Sequence, residues 1–188
     1  FAWRFTNIVA RALTGLGRKP SYELIARYVT NIEPLMVDYY HLWLDQSAPN
    51  NWSQLVQSIE GSEDLMKKVP IAMKSRGRHA VALLTYVKDH GLFDAVADGL
   101  RSAIEYDKTY FDKLTASLLP LMEKLTSGPV GQLLSPNYED LNDHRPVLDW
   151  MNVIREGGVV YIGLDALSDA DVASAVGNSM FADLTSIA

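Results

Sequence analysis

Three residues in the first quarter of the chain combine metal-binding side chains with the spacing of one helix face. Asp38, His41 and Asp45 stand at positions i, i+3 and i+7, and carboxylate and imidazole groups placed in this way can share a metal ion. No second histidine follows at helical spacing, as it does in the HExxH motif. The favoured interpretation is therefore a solvated or structural helix face. A metal-dependent enzyme stays open as the alternative, and it predicts bound metal.

A second group of residues has the composition of a nucleic-acid contact. The cations Arg101, Lys108 and Lys113 alternate along the chain with three aromatic residues, Tyr106, Tyr110 and Phe111. Single-stranded DNA binds where bases stack on rings and phosphates pair with cations. The competing interpretation, which we favour, is an amphipathic helix with a charged outer face and its rings in the core. As candidate DNA or partner contacts we name Arg101, Tyr106, Lys108 and Lys113.

The sequence lacks the short motifs of common catalytic and nucleotide-binding sites. It contains no GxxxxGK[ST] phosphate loop, no GxGxxG, no HExxH and no GxSxG. It also has no cysteine, which excludes disulfides, thiolate metal sites and cysteine nucleophiles. We therefore expect no catalytic, cofactor-binding or metal site in this chain.

The charges of the chain are unevenly distributed. The formal net charge is −6. The segment from Asn137 to Asp171, with eight acidic and two basic residues, by itself has a net charge of −6, so the remainder of the chain is close to neutral. A locally basic cluster stands apart from this segment and comprises Lys67, Lys68, Lys74, Arg76, Arg78 and Lys88. This distribution argues against uniform attraction to nucleic acid, although the basic cluster could contact phosphates.

Hydrophobic spacing and capping signals predict helices through most of the chain. The first helix is predicted over residues 1–16, a second is capped by Ser21, and a third is capped by Asn31 with Pro34 in its first turn. Another is predicted over residues 78–88.

The longest helical pattern runs from Asp94 to Thr126. Its apolar seam is heptad-like and comprises Leu100, Ile104, Phe111, Leu114, Leu118, Leu121 and Leu125. Pro120 should kink or divide this helix, and Asp107 puts a carboxylate on the seam. Gly128-Pro129 is expected to end the helix.

The C-terminal region changes character. Val159–Leu164 has the apolar, β-branched composition of a buried strand and follows Gly157-Gly158. Ser168 is predicted to cap a following helix in which Ala173 and Gly177 allow close approach to a sheet. A lone buried strand leaves its backbone groups unpaired, so we expect this chain to be a piece of a larger α/β protein. Asp165, directly after the strand, is a weak candidate for a ligand position.

Two long stretches carry a resemblance to a known family. GLFDAVADGLRSAIEYDKTYFDKLTASLLPLMEKLTSG and RPVLDWMNVIREGGVVYIGLDALSDADVASAVGNSMFADL resemble the TraD-type conjugative coupling proteins of integrative and conjugative elements. FAWRFTNIVARAL and RYVTNIEPLMVDYY look like the upstream segment of the same family. The resemblance spans nearly the whole chain and is weakest between Gln46 and Gly77.

The resemblance implies a fold and a role. Members of this family are membrane-anchored, hexamer-forming ATPases related to RecA and FtsK, and they bring DNA–relaxase complexes to a type IV secretion channel. Their nucleotide-binding domain carries an inserted all-α domain that faces the cytoplasm and is implicated in substrate recognition. The implied fold is mainly α: an all-α insertion domain over residues 1–145, then a strand–helix piece of the RecA-like α/β core over residues 146–188.

The implied function is non-catalytic recognition. The partners would be the relaxase, other relaxosome proteins and type IV secretion components, with single-stranded DNA binding as the alternative function. The fragment itself would need no cofactor, whereas the parent, a homohexamer, would use ATP and Mg²⁺. The implied location is the cytoplasmic side of a bacterial inner membrane.

Overall fold

The chain is mainly helical, as the sequence predicts. The computed structural model describes residues 2–67, 69–106, 113, 116, 118–134, 144 and 147–187, and these residues contain no β-strand. They form two compact units, Phe1–Pro120 and Leu121–Ala188. The predicted boundary at 145/146 falls on residues outside the described part, so it stays a prediction.

The helices of the first unit follow one another through short connections. They are α1 (Ala2–Gly15), α2 (Tyr22–Thr30), α3 (Glu33–Ser47), α4 (Trp52–Gly61), α5 (Glu63–Lys67), a 3₁₀ turn (Ile71–Met73), α6 (Arg78–Asp89) and α7 (Ala95–Glu105). The remaining helices are α8 (Leu119–Thr126), α9 (Gly128–Leu134), α10 (Trp150–Glu156) and α11 (Ala170–Ile187). None of the described helices is long and apolar enough to cross a membrane.

Helix α6 forms the centre of the first unit. It is buried on most of its circumference, from Ala80 through Leu84 and again at Tyr86 and Val87, because it packs against both α3 and α4. Helix α7 packs against α1 and α3 and contributes Leu100 and Ile104, both fully buried. The remaining face carries Arg78, Thr85 and Asp89, so α6 is an amphipathic helix whose broad apolar face packs into the core.

Two of the predicted helix starts can be compared directly with the structure. Ser21 caps α2 as predicted, since its hydroxyl accepts a hydrogen bond from the backbone N–H of Leu24 at 3.2 Å. The cap predicted at Asn31 is wrong. Helix α3 begins at Glu33, and Ile32 precedes it without a side-chain cap. Pro34 does lie in the first turn, where its missing N–H costs nothing.

The long helix predicted from Asp94 to Thr126 is not continuous. Helix α7 ends at Glu105, because Tyr106 has an extended backbone with φ −65° and ψ 141°. Helix α8 begins at Leu119, so Pro120 lies in a first turn, which agrees with the predicted division of the helix and not with a kink. Asp107 and the middle of the predicted seam lie outside the described residues.

The helix end predicted at Gly128-Pro129 is confirmed. Helix α8 ends at Thr126, and Gly128, with a positive φ of 58°, is the first residue of the next helix, α9. A positive φ suits glycine because it has no Cβ.

In the second unit, the predicted strand Val159–Leu164 is wrong in this structure. These residues adopt no strand pairing, and the side chains of Val159 and Tyr161 are 97% and 94% exposed. The physical reason is that no strand lies beside them among the described residues to accept their backbone hydrogen bonds.

The helix predicted after this segment is present as α11, but its cap differs. Asp169, not Ser168, accepts a hydrogen bond from the N–H of Val172 at 3.1 Å. Gly177 does allow a close approach, as predicted, but the group that approaches it is Leu164 of the Val159–Leu164 segment and not a sheet. A Cβ at Gly177 would lie 3.0 Å from Leu164 Cδ1.

Candidate functional site

The first unit carries a groove between the 3₁₀ turn, α6 and α7. It consists of two adjoining hollows, of about 440 Å³ and about 390 Å³, which share Val69, Met73 and Val81 in their walls. The larger hollow is also lined by Pro70, Leu84, Thr85, Lys88, Asp89, Arg101 and Glu105. The smaller one is also lined by Glu63, Lys67, Lys74, Arg76 and Arg78. We call the two together the Met73 groove.

The floor of the Met73 groove is aliphatic and belongs to the core. Met73, Val81 and Leu84 are only 7%, 5% and 6% exposed, so each presents a small apolar surface to the groove while its bulk packs inward. None of the described residues that line the two hollows is aromatic. Because α6 and the 3₁₀ turn fix these three side chains, the floor is preformed.

The charge of the groove is concentrated at one end. Among the described residues, four basic residues and one acid line the smaller hollow, whereas two of each sign line the larger. Arg78 pairs with Glu63 at 2.9 Å. Within the described part of the chain, no carboxylate lies within ion-pair distance of Lys74 or Arg76. Among the described residues, Lys74 and Arg76 therefore give the smaller hollow positive charge that no carboxylate pairs with.

Arg76 fixes the position of the 3₁₀ turn. Its Nη2 donates a hydrogen bond to the carbonyl oxygen of Ile104 at 3.3 Å. That carbonyl lies in the last turn of α7, where helical carbonyls lack partners and a cation is favoured. The Nε atom of Arg76 is buried, and no described residue forms a hydrogen bond with it. The guanidinium thus joins α7 to the turn that carries Met73.

Of the four candidate contacts named from the sequence, the structure places two, Arg101 and Tyr106, in the walls of different cavities. Arg101 lines the larger hollow and pairs with Asp98 and, at 3.9 Å, with Glu105. Tyr106 instead lines a separate cavity beside α1, formed with Arg4, Phe5, Ile8, Gly99, Ser102 and Ala103. Lys113 is exposed, and Lys108 lies outside the described residues, as do Tyr110 and Phe111. The structure therefore separates the one described ring, Tyr106, from Arg101.

The Asp38, His41 and Asp45 face is used for structural contacts. Asp38 accepts a hydrogen bond from Arg18 at 2.8 Å, and Asp45 accepts one from Trp52 Nε1 at 3.0 Å. Across the described residues, no group of three or more His, Asp or Glu side chains is placed to hold a metal ion. The structural interpretation of this face is thus supported by a named partner for each carboxylate.

Sequence reasoning missed the partner of His41. Its Nε2 atom lies 2.8 Å from Nε2 of His79, and Nδ1 of His79 lies 2.9 Å from Glu60 Oε2. The pKa of His41 is lowered, first by burial and then by the neighbouring His79. No sequence signal links positions 38 residues apart, since the packing of α6 on α3 brings them together.

The second unit has its own polar cluster. Lys124 Nζ lies 2.9 Å from Asp169 Oδ2 and 3.8 Å from Asp171 Oδ2. Lys124 holds the pKa of Asp169 below its usual value. Asp165, the weak ligand candidate, instead accepts hydrogen bonds from the backbone N–H and hydroxyl of Ser168, which lower its pKa. These acids stabilise turns and the start of α11.

No family model, curated protein or solved structure matches this chain.

Proposed function

We propose that this chain is a non-catalytic recognition domain of a TraD-type conjugative coupling ATPase, and that it binds an acidic segment of a relaxosome or secretion protein in the Met73 groove. The observation that carries the proposal is the pairing of a preformed aliphatic floor with a cationic end. The family assignment rests on the sequence resemblance alone.

The chemistry of the groove favours a protein partner. An apolar side chain of the partner would fill the larger hollow over Met73 and Leu84, where burial of apolar surface supplies affinity. Acidic side chains of the same segment would face Lys67 and Lys74, and complementary charge raises the association rate and selects the partner.

Single-stranded DNA is the second candidate, and the uncompensated positive charge of the smaller hollow is the observation that favours it. Sequence-independent binding of single strands also uses aromatic platforms on which bases stack. Among the residues that the structure describes, the walls of both hollows include no aromatic ring. We therefore rank the protein partner first.

In this proposal the second unit is the return path to the RecA-like core of the parent. Val159–Leu164 would become a strand once the parent sheet supplies its neighbours, and α11 would dock on that sheet. ATP and Mg²⁺ would bind to parts of the parent outside this chain. Phosphate release by the purified chain tests the non-catalytic assignment, because ATP hydrolysis above the buffer rate would refute it.

The partner proposal can be tested with two charge-matched variants. The relaxase and accessory proteins encoded with this chain would be immobilised, and binding of the chain would be measured by biolayer interferometry. We expect the double variant Lys67→Glu, Lys74→Glu to bind at least about tenfold more weakly, mainly through slower association.

The matched control reverses two exposed cations on helices that do not line the groove, Arg11→Glu and Arg27→Glu. The control changes the net charge by the same amount. We expect its affinity to lie within about twofold of the wild-type affinity, because surface charges outside an interface contribute little to binding. An equal loss of affinity in both variants would mean that overall charge causes the loss, and it would refute the groove as the binding surface. Binding of a labelled oligonucleotide that falls steeply with salt, without binding to any of the proteins, would favour the DNA function.

A further inference from the structure

Three helices of the first unit bring together a histidine pair and a carboxylate. His41 comes from α3, Glu60 from α4 and His79 from α6. The Nε2 atoms of the two histidines lie 2.8 Å apart, and Glu60 Oε2 lies 2.9 Å from Nδ1 of His79. Because each residue stands on a packed helix and not on a loop, the arrangement is fixed by the core.

The carboxylate determines which nitrogen of His79 carries a proton. An ionised Glu60 can only accept a hydrogen bond, so Nδ1 of His79 donates to it and the lone pair of the neutral ring lies on Nε2. This lone pair points at His41 Nε2. A carboxylate that holds the far nitrogen of a histidine is the usual outer-shell partner of a metal ligand, since it fixes the ring and raises its basicity.

We propose that His41 and His79 form a two-histidine site for a divalent transition cation of the zinc type, with Glu60 as the residue that orients His79. Nε2 atoms bound to one tetrahedral zinc at about 2.0 to 2.1 Å each would be about 3.3 Å apart. The pair therefore needs to open by about half an ångström. His41 would bind as the tautomer protonated on Nδ1. The inference stands independently of the proposed function.

The surroundings leave room for water to complete the coordination. No third His, Asp or Glu in the described part of the chain joins the pair to make a three-ligand group. The side chains of His79 and Glu60 are 36% and 35% exposed, so solvent reaches the site, while the ring of Trp52 meets His41 edge-on at 5.3 Å. Imidazole ligands select zinc, nickel, cobalt or copper over magnesium and calcium.

Isothermal titration calorimetry tests the proposal. The intact chain would first be freed of trace metal and then titrated with Zn²⁺ alone. We expect one saturable site, which is lost in both His41→Gln and His79→Gln. Glutamine keeps a polar side chain of moderate size at these positions, and the circular dichroism of each variant reports whether the helices remain. Co²⁺ should give visible absorption bands that disappear in the same two variants.

Two further variants separate this site from general histidine binding. Glu60→Gln should weaken Zn²⁺ binding by about tenfold or more, as loss of an outer-shell carboxylate does in other metal sites. His90→Gln should change nothing, because His90 instead contacts the carbonyl oxygen of Tyr86 at 2.9 Å. Absence of saturable binding, or binding that persists in His41→Gln or His79→Gln, would overturn the proposal.

Discussion

Replacing Asp94 with alanine should destabilise the first unit more than the same replacement at any other exposed or half-exposed acidic residue. The Oδ1 atom of Asp94 accepts hydrogen bonds from the backbone N–H groups of Val96 and Ala97, both at 2.9 Å, and from the hydroxyl of Tyr39 at 3.0 Å. It therefore caps α7 and ties that helix to α3 at the same time.

The cost can be worked out from these bonds. Loss of an N-terminal cap destabilises by about 0.5 to 2 kcal/mol, and loss of the Tyr39 hydrogen bond adds about 1 kcal/mol. We expect Asp94→Ala to lower the free energy of unfolding by about 1.5 to 3 kcal/mol. At a typical urea dependence of about 2 kcal/mol per molar, the midpoint should fall by about 1 M.

Urea unfolding followed by circular dichroism measures this change, and amide hydrogen exchange in α7 assigns it to the first unit. Asp94→Asn keeps an equally good cap and should cost less than about 1 kcal/mol. Asp89→Ala is the matched control, since Asp89 ends α6 where an acid is disfavoured. A double-mutant cycle with Tyr39→Phe should give a coupling of about 1 kcal/mol. A loss below about 0.5 kcal/mol for Asp94→Ala would refute the argument.

Three further outcomes follow from particular contacts. A Cβ at Gly99 would lie 2.8 Å from Ile8 Cδ1, whereas a Cβ at Gly61 would meet nothing within 4 Å. Gly99→Ala should therefore lower the free energy of unfolding by about 1 to 3 kcal/mol, and Gly61→Ala should leave it unchanged. Equal urea midpoints for the two variants would contradict this prediction. Burial and the Asp94 hydrogen bond raise the pKa of Tyr39 to about 12, so its contribution to stability is present below pH 10 and lost as the pH rises to about 12. Tyr39→Phe should flatten this part of the stability curve, and an unchanged slope would exclude Tyr39 as its source. Carbon-13 NMR of Asp169 should show its pKa rising toward the model-peptide value in Lys124→Ala, because Lys124 is the main cause of its lowering; an unchanged pKa would disprove that ion pair.

Local signals located helix starts to within a residue, although the caps predicted at Asn31 and Ser168 each fell one residue too early. Ser21 caps α2 as its residue type suggests, and the pattern beginning at Asp94 marks the start of α7. The predictions failed where the outcome depends on neighbours distant in sequence. Val159–Leu164 has the composition of a strand, but a strand forms only when another chain segment accepts its hydrogen bonds.

The candidate site was predictable only in part. The basic cluster from Lys67 to Lys88 indicated a cationic surface, and most of its members line the Met73 groove. The position of Arg101 beside them arises because α7 packs against the 3₁₀ turn, which no local pattern reveals. The meeting of His41 with His79 likewise requires the packing of α6 on α3.

Methyl NMR of methionine tests the central claim, that partners bind in the Met73 groove, most directly. The methyl signal of Met73 would be followed while unlabelled relaxase or accessory protein encoded with the chain is added. Met36, fully buried, and Met151, 47% exposed in the second unit, serve as internal controls. The account predicts that the Met73 signal shifts or broadens while both controls stay in place. Partner binding that leaves Met73 unchanged and moves Met151 would contradict it.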